Sequence, residues 1–187
     1  MKLFKLLLIT FGTFAIFSCS SDDDAAPAPV NEEEVITTVN LTLSPTTGSD
    51  IVLTSQDLDG EGPNDPVITA PALAANMSYT GTVELLNEME SPAEDITEEV
   101  AEEDDEHQFF FQVVGNATLT VNYTDMDADG NPIGINFTLT TGDASTGSLQ
   151  IILRHLLDKN AAGVSDGDIT NAGGSTDVDV TFPIVVQ

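Results

Sequence analysis

Cationic side chains are nearly missing from this chain. Four lysines and arginines stand against 32 aspartates and glutamates, a formal net charge of −28 over 187 residues. A polyanion of this density repels nucleic acid and anionic lipid headgroups, which argues strongly against basic-patch recognition of either. Tryptophan is absent, which weakens any reading as a stacking platform for sugars. Histidine occurs only twice, as His107 and His155. No Gly-x-Ser-x-Gly elbow occurs and neither histidine has an evident serine partner, so nucleophilic catalysis has little support. Two-carboxylate hydrolysis stays open on composition alone, since acids are so plentiful. The expectation is nevertheless a protein that is not an enzyme.

The lone cysteine, Cys19, lies at the end of a processing pattern. Lys2 and Lys5 precede an apolar run that reaches Phe17, and Ser18 is the small residue before the cysteine. This is a positive n-region, a short h-region and a small residue at the cut. The run is broken by Thr10, Gly12 and Thr13 and is too short for a comfortable spanning helix. Ile16-Phe17-Ser18-Cys19 resembles the lipobox of bacterial lipoproteins. Ser20-Ser21-Asp22-Asp23-Asp24 resembles the acidic tether that sends some Gram-negative lipoproteins to the cell surface.

That resemblance implies a signal peptide over 1–18, acylation of Cys19, and attachment to the membrane through its lipid. The implied location is the outer membrane with cell-surface exposure, and a periplasm-facing anchor is the second choice. The remainder is loosely similar to small surface lipoproteins that accompany TonB-dependent receptors, which implies an outer-membrane receptor as partner. With Cys19 acylated, no thiol remains for a disulfide, a thiolate metal site or a nucleophile. The exported domain must then be held by its core, by ions, or by both.

Beyond Ser18 only Arg154 and Lys159 oppose all the carboxylates. Residues 19–34 combine Asp-Asp-Asp, an Ala-Pro run and Glu32-Glu33-Glu34, a composition expected to stay extended and disordered. Folded sequence is expected over 35–187. Alternation of apolar and polar residues predicts strands over 35–43, 50–56, 77–87, 117–124, 133–141, 147–156 and 178–186, with a short one near Val67. Phe109-Phe110-Phe111 makes 108–114 read as a central strand buried on both faces. Seven or eight strands with frequent turn signals predict an antiparallel, immunoglobulin-like β-sandwich. Lys159 to Asp177 is a connection long enough to need a task of its own.

One helix interrupts the strands. Ser91-Pro92-Ala93-Glu94 has the form of a capping box with proline at the first helical position. Ile96 and Val100 supply a narrow apolar stripe, and the acids beyond predict a helix of about four turns. Acids near its start suit the helix dipole, whereas those near its end oppose it unless a cation or a protonated His107 is present.

Two clusters could bind ions. Asp125-Met126-Asp127-Ala128-Asp129-Gly130-Asn131 resembles the first half of an EF-hand loop, which implies calcium on Asp125, Asp127, Asp129 and Asn131. The twelfth position is Asn136 rather than glutamate, so a solvated hairpin tip is the competing reading. Glu103 and Asp104 lie four and three residues before His107, within reach along a helix. If His155 met them in the fold, two histidines and a carboxylate would suit zinc or copper. Capture of such an ion for an outer-membrane transporter is one functional expectation. A structural or adhesive surface module, with calcium as a structural ion, is the other.

Overall fold

A computed structural model describes residues 34–60 and 62–187. The expectations for the signal peptide, Cys19 and most of the tether lie outside the described residues. Ten antiparallel strands and one helix form a β-sandwich. In chain order the strands are β1 (Thr38–Pro45), β2 (Ile51–Gln56), β3 (Val67–Thr69), β4 (Ser78–Asn87) and β5 (Glu94–Asp95). After the helix α1 (Ile96–Glu102) come β6 (His107–Gly115), β7 (Leu119–Tyr123), β8 (Asn136–Thr141), β9 (Ser145–His155) and β10 (Ser175–Val186). The larger sheet has the order β3-β2-β1-β4-β8-β7, with the two-residue β5 also paired to β4; the smaller is β10-β9-β6.

The expected antiparallel sandwich is therefore what forms, with strand bounds close to those that alternation predicts. β3 and β5, with three and two residues, take the count above eight. Leu41, Leu43, Leu53, Val83 and Leu85 of the larger sheet face Phe109, Leu149, Ile151, Leu153, Phe182 and Ile184 of the smaller across one core. Each fully buried side chain of this size contributes about 1.5–3 kcal/mol over the exposed state.

Two expectations need correction. The first concerns the Phe109 strand: β6 is an edge of the smaller sheet, and β9 holds the centre. Burial of both its faces has another cause. Phe109 points into the main core, while Phe110 packs outward with Ile152, Leu157, Val164 and Ala172. That outer layer is the long connection between β9 and β10, which winds through short 3-10 turns at Val164–Asp166 and Ile169–Asn171. The open edge of β6 is covered as well, since the Phe109 amide donates to Ile133 O and the Tyr123 hydroxyl donates to Phe109 O at 2.7 Å. Burial pushes the Tyr123 phenol up to about 12, against a hydrogen bond with Gln108 that lowers it.

The second correction is the helix, which has seven residues. Residues Glu94 and Asp95 pair with Asn87 and Leu86 of β4, which delays its start. Asp95, not Ser91, is the N-cap; its carboxylate accepts from the Thr97 amide at 3.0 Å. Its last turn carries no basic residue, and the acids that follow face the negative end of the helix dipole. The chain leaves the helix at Glu103 and turns into β6. So short a helix is held by packing rather than propensity, through the buried Ile96 and Val100.

Lys159 pins the long connection. Its ammonium, almost fully buried, lies 2.9 Å from the Asp127 carboxylate and also donates to the Asp104 carbonyl. Burial pushes the Asp127 carboxyl up, but the hydrogen bond from Lys159 and the amides of Asn131 and Asp129 outweigh it, leaving the group below its ordinary 3.8. A carboxyl depressed by folding stabilises above its unfolded value and stops doing so as pH falls through the folded one. The Asp127–Lys159 contribution is thus present above about pH 4 and is lost below it. Lys159→Met leaves Asp127 charged, buried and unpaired, and is expected to lower unfolding free energy by about 3–5 kcal/mol in urea titrations at pH 7. Lys159→Met combined with Asp127→Asn is expected to recover part of that loss, and equal instability of the two variants would contradict a paired charge.

Candidate metal centre

The inner face of the smaller sheet runs from apolar to polar at one end of the sandwich. Phe109 and His107 alternate on β6, as Ile151, Leu153 and His155 do on β9. The register pairs His107 directly with His155, and continues through Phe109↔Leu153 to Gly115↔Gly147. The two imidazoles stack, with ring centroids 4.3 Å apart and planes 16° from parallel. His107 is fully buried and His155 is 5% exposed.

Asp177 joins them through an irregularity of β10. Thr176 pairs with Arg154 and Val178 with Leu153, so Asp177 is an extra residue in the ladder. Such a bulge re-aims a side chain. Here it turns an acid toward the core face, beside the inward Val178. The preceding turn needs glycine: at Gly174, with φ +70°, a Cβ would stand 2.2 Å from the His155 carbonyl oxygen. Glu34 arrives from the other side, just ahead of β1. Its place is set by Thr37, whose amide and hydroxyl both donate to Leu86 O on β4.

The ligating atoms converge. His107 Nε2 lies 3.7 Å from Glu34 Oε1 and 3.8 Å from Asp177 Oδ2, and His155 Nδ1 lies 4.0 Å from the same Asp177 oxygen. One atom from each of Glu34, His107, His155 and Asp177 falls within 4.8 Å of every other. A tetrahedral ion with ligands at 2.0–2.1 Å would space them by ~3.4 Å. His107 Nε2, His155 Nδ1 and Glu34 Oε2 are buried without a hydrogen-bond partner. Each such atom costs about 1–3 kcal/mol when left unsatisfied.

The outward ring nitrogens do have partners. His107 Nδ1 is 3.2 Å from the Glu103 carbonyl oxygen, a contact in which only a ring N–H can donate. That bond requires a proton on Nδ1, so Nε2 is the ring nitrogen that faces the two acids and can offer a lone pair to an ion. His155 Nε2 lies 3.5 Å from Glu106 Oε2. A second-nitrogen contact to a carbonyl or carboxylate is the usual companion of a metal-ligating histidine. The field is negative too. Partial burial raises the Glu99 carboxyl above its usual range, and the charges of Glu94, Glu34, Glu103 and Glu102 push it the same way.

The residues singled out in the sequence divide. The structure brings His107, His155 and Glu103 together, although His107 begins a strand rather than ending a helix. Asp104 is placed elsewhere; its carbonyl serves Lys159 and its carboxylate is in neither histidine-containing cluster of candidate ligands. In the aspartate loop, Asp125 accepts from the amides of Gly134 and Asn136, and Asp127 from those of Asp129 and Asn131. These donors and Lys159 engage both carboxylate oxygens of Asp125 and of Asp127, which favours the turn reading. Glu34, Glu106 and Asp177 were not anticipated. Glu34 was allotted to the tether, and Asp177 to the connection before a strand expected at Val178.

The chain matches no protein-family model, no curated protein and no solved structure.

The tautomer of His107 is directly observable. In long-range 1H–15N spectra of the metal-free protein, the His107 ring is expected to carry a proton on Nδ1; a ring protonated on Nε2 alone would contradict the arrangement.

Proposed function

We propose that this is a lipid-anchored protein of the bacterial outer membrane whose sandwich domain binds one zinc or copper ion and holds it for an outer-membrane transporter. The observation that carries the reading is the convergence of Glu34, His107, His155 and Asp177, with two buried imidazole nitrogens that lack a hydrogen-bond partner. Two neutral imidazoles and two carboxylates carry a charge of −2, which one divalent ion cancels. Nitrogen and oxygen donors without thiolate suit zinc and copper(II) over calcium or magnesium. The anchor and its location rest on the lipobox resemblance at Cys19 and the acidic run behind it. Among the described residues, no helix is long and apolar enough to cross a membrane.

A second reading has its own support. Each histidine stands within 4.0 Å of a buried carboxylate, as protonated histidines in a purely structural ion-pair cluster also would. The protein would then be an adhesive or structural module whose acidity keeps it solvated. Ion binding separates the two. An ion shared by His107 and His155 lies in both ring planes, so the nearly parallel rings must splay as it binds.

Residues 33–187 form one compact unit with its own core, so the chain from residue 19 onward with Cys19→Ser is suitable for calorimetry. One zinc or copper ion per chain is expected, at micromolar affinity or tighter, with calcium at least 100-fold weaker. His107→Ala and His155→Ala are each expected to weaken binding by 100-fold or more. At zinc 100-fold above the dissociation constant, stability should rise by about 2.7 kcal/mol. Binding also releases protons, so affinity should fall in acid. A domain that ignores zinc and copper and melts identically with a chelator present is the structural module instead.

A further inference from the structure

The four inner ligands are closed off from solvent: the side chains of Glu34, His107, His155 and Asp177 are 8%, 0%, 6% and 4% exposed. An ion reaching them must shed its water on the way. Among the described residues, His155 also belongs to a second cluster of candidate ligands, on its far side. Glu103, Glu106 and His155 also present one ligating atom each within 4.8 Å of one another, and there the glutamate side chains are 53% and 46% exposed. The ring nitrogens are divided between the two clusters. Nδ1 is buried, unpartnered and 4.0 Å from Asp177, whereas Nε2 meets Glu106 at 3.5 Å.

We infer that Glu103, Glu106 and His155 Nε2 form an outer loading station through which a divalent metal ion enters the inner site, with the His155 ring as the partition between them. The inference rests on the metal-binding reading above. The outer trio replaces part of the ion's hydration shell with two carboxylate oxygens and one nitrogen while solvent still supplies the rest. Loading the inner set requires the His107–His155 stack to open, and the ring that must turn is the one the outer ion holds. Glu103 belongs to both steps, because its carbonyl fixes His107 while its carboxylate faces the outer ion. The segment that carries both glutamates is the turn between α1 and β6, whose Glu106 carbonyl accepts the Leu156 amide just past His155.

A residue on the entry path but outside the final site affects loading and release alike. Glu103→Gln combined with Glu106→Gln is therefore expected to slow zinc uptake by about tenfold and to slow release as well, whereas if Glu106 acted only as the partner of His155 its loss would speed release and leave uptake unchanged. Uptake is read by stopped flow with a fluorescent zinc indicator, and release by a chelator chase, on the chain from residue 19 with Cys19→Ser. Glu98→Gln combined with Glu102→Gln removes the same charge from the same acidic stretch and should change neither rate by more than about threefold. A fall in uptake alone, with affinity weakened in proportion and the control pair behaving likewise, would reduce the outer trio to general charge attraction and overturn the relay. Unchanged rates would place the entrance elsewhere. Failure of the wild-type domain to bind zinc would remove the inner site itself, whereas binding with unaltered kinetics removes only the loading step.

Discussion

The pairing of β6 with β9 is the constraint on which the site depends. Their register sets Phe109 against Leu153 in the core and, one pair outward on the same face, His107 against His155. A strand has period two, so a slip of β6 by one residue against β9 would send His107 to the opposite face and set Gln108 beside His155 in its place. The register is secured where apolar burial is strongest, at Phe109, Ile151 and Leu153, all fully buried. The site thus borrows its precision from the core beside it. It also inherits the core's low polarity, which makes a ring nitrogen without a hydrogen-bond partner expensive there.

Negative charge is distributed to the same effect. Most acids in this chain are exposed and well hydrated, and by themselves they would do little more than keep it soluble. The ones around Glu99 are different because they crowd: folding raises that carboxyl through burial and through four neighbouring acids. At neutral pH such a group opposes the compact state, since a raised acid stabilises only below its unfolded value and ceases to as pH rises through the folded one. Any cation drawn to this end of the sandwich relieves that repulsion. Lys159, the one lysine beyond residue 5, is committed to Asp127 and the Asp104 carbonyl, where it ties the outer layer to the turn after β7.

Much of the fold was legible because it depends on local alternation. Period two by itself puts His155 on the face of Ile151 and Leu153, and the structure agrees. The helix is shorter than its capping box and its Ile96 and Val100 stripe predict, because acids crowd the negative end of its dipole and Glu94 and Asp95 pair with β4 instead. The meeting of the two histidines could be raised only as a condition, since no spacing rule pairs strands 48 positions apart. Asp177 was hidden for a sharper reason. A bulge breaks the alternation that sequence reading relies on, so the residue it turns inward looks like the end of a loop. Glu34 was masked by its company, as the last of three glutamates in what reads as a tether. Its burial reflects the anchoring of Thr37 on Leu86, a contact 49 positions away.

The origin of the four inner ligands has a thermodynamic consequence under the metal reading. His107, His155 and Asp177 belong to the smaller sheet, whereas Glu34 extends from the first strand of the larger one. An ion bound by all four would be a cross-link between the two sheets at the end where the core turns polar, so part of its binding free energy would appear as stability of the sandwich. The same argument limits affinity. Three ligands are held by a shared ladder and lose little freedom on binding, but Glu34 reaches in on a longer side chain from ahead of its strand and gives up more. Removing Glu34 would then weaken binding less than removing either histidine, yet cost more of the coupling between ion and fold. A site built this way can hold an ion firmly while keeping one ligand able to let go.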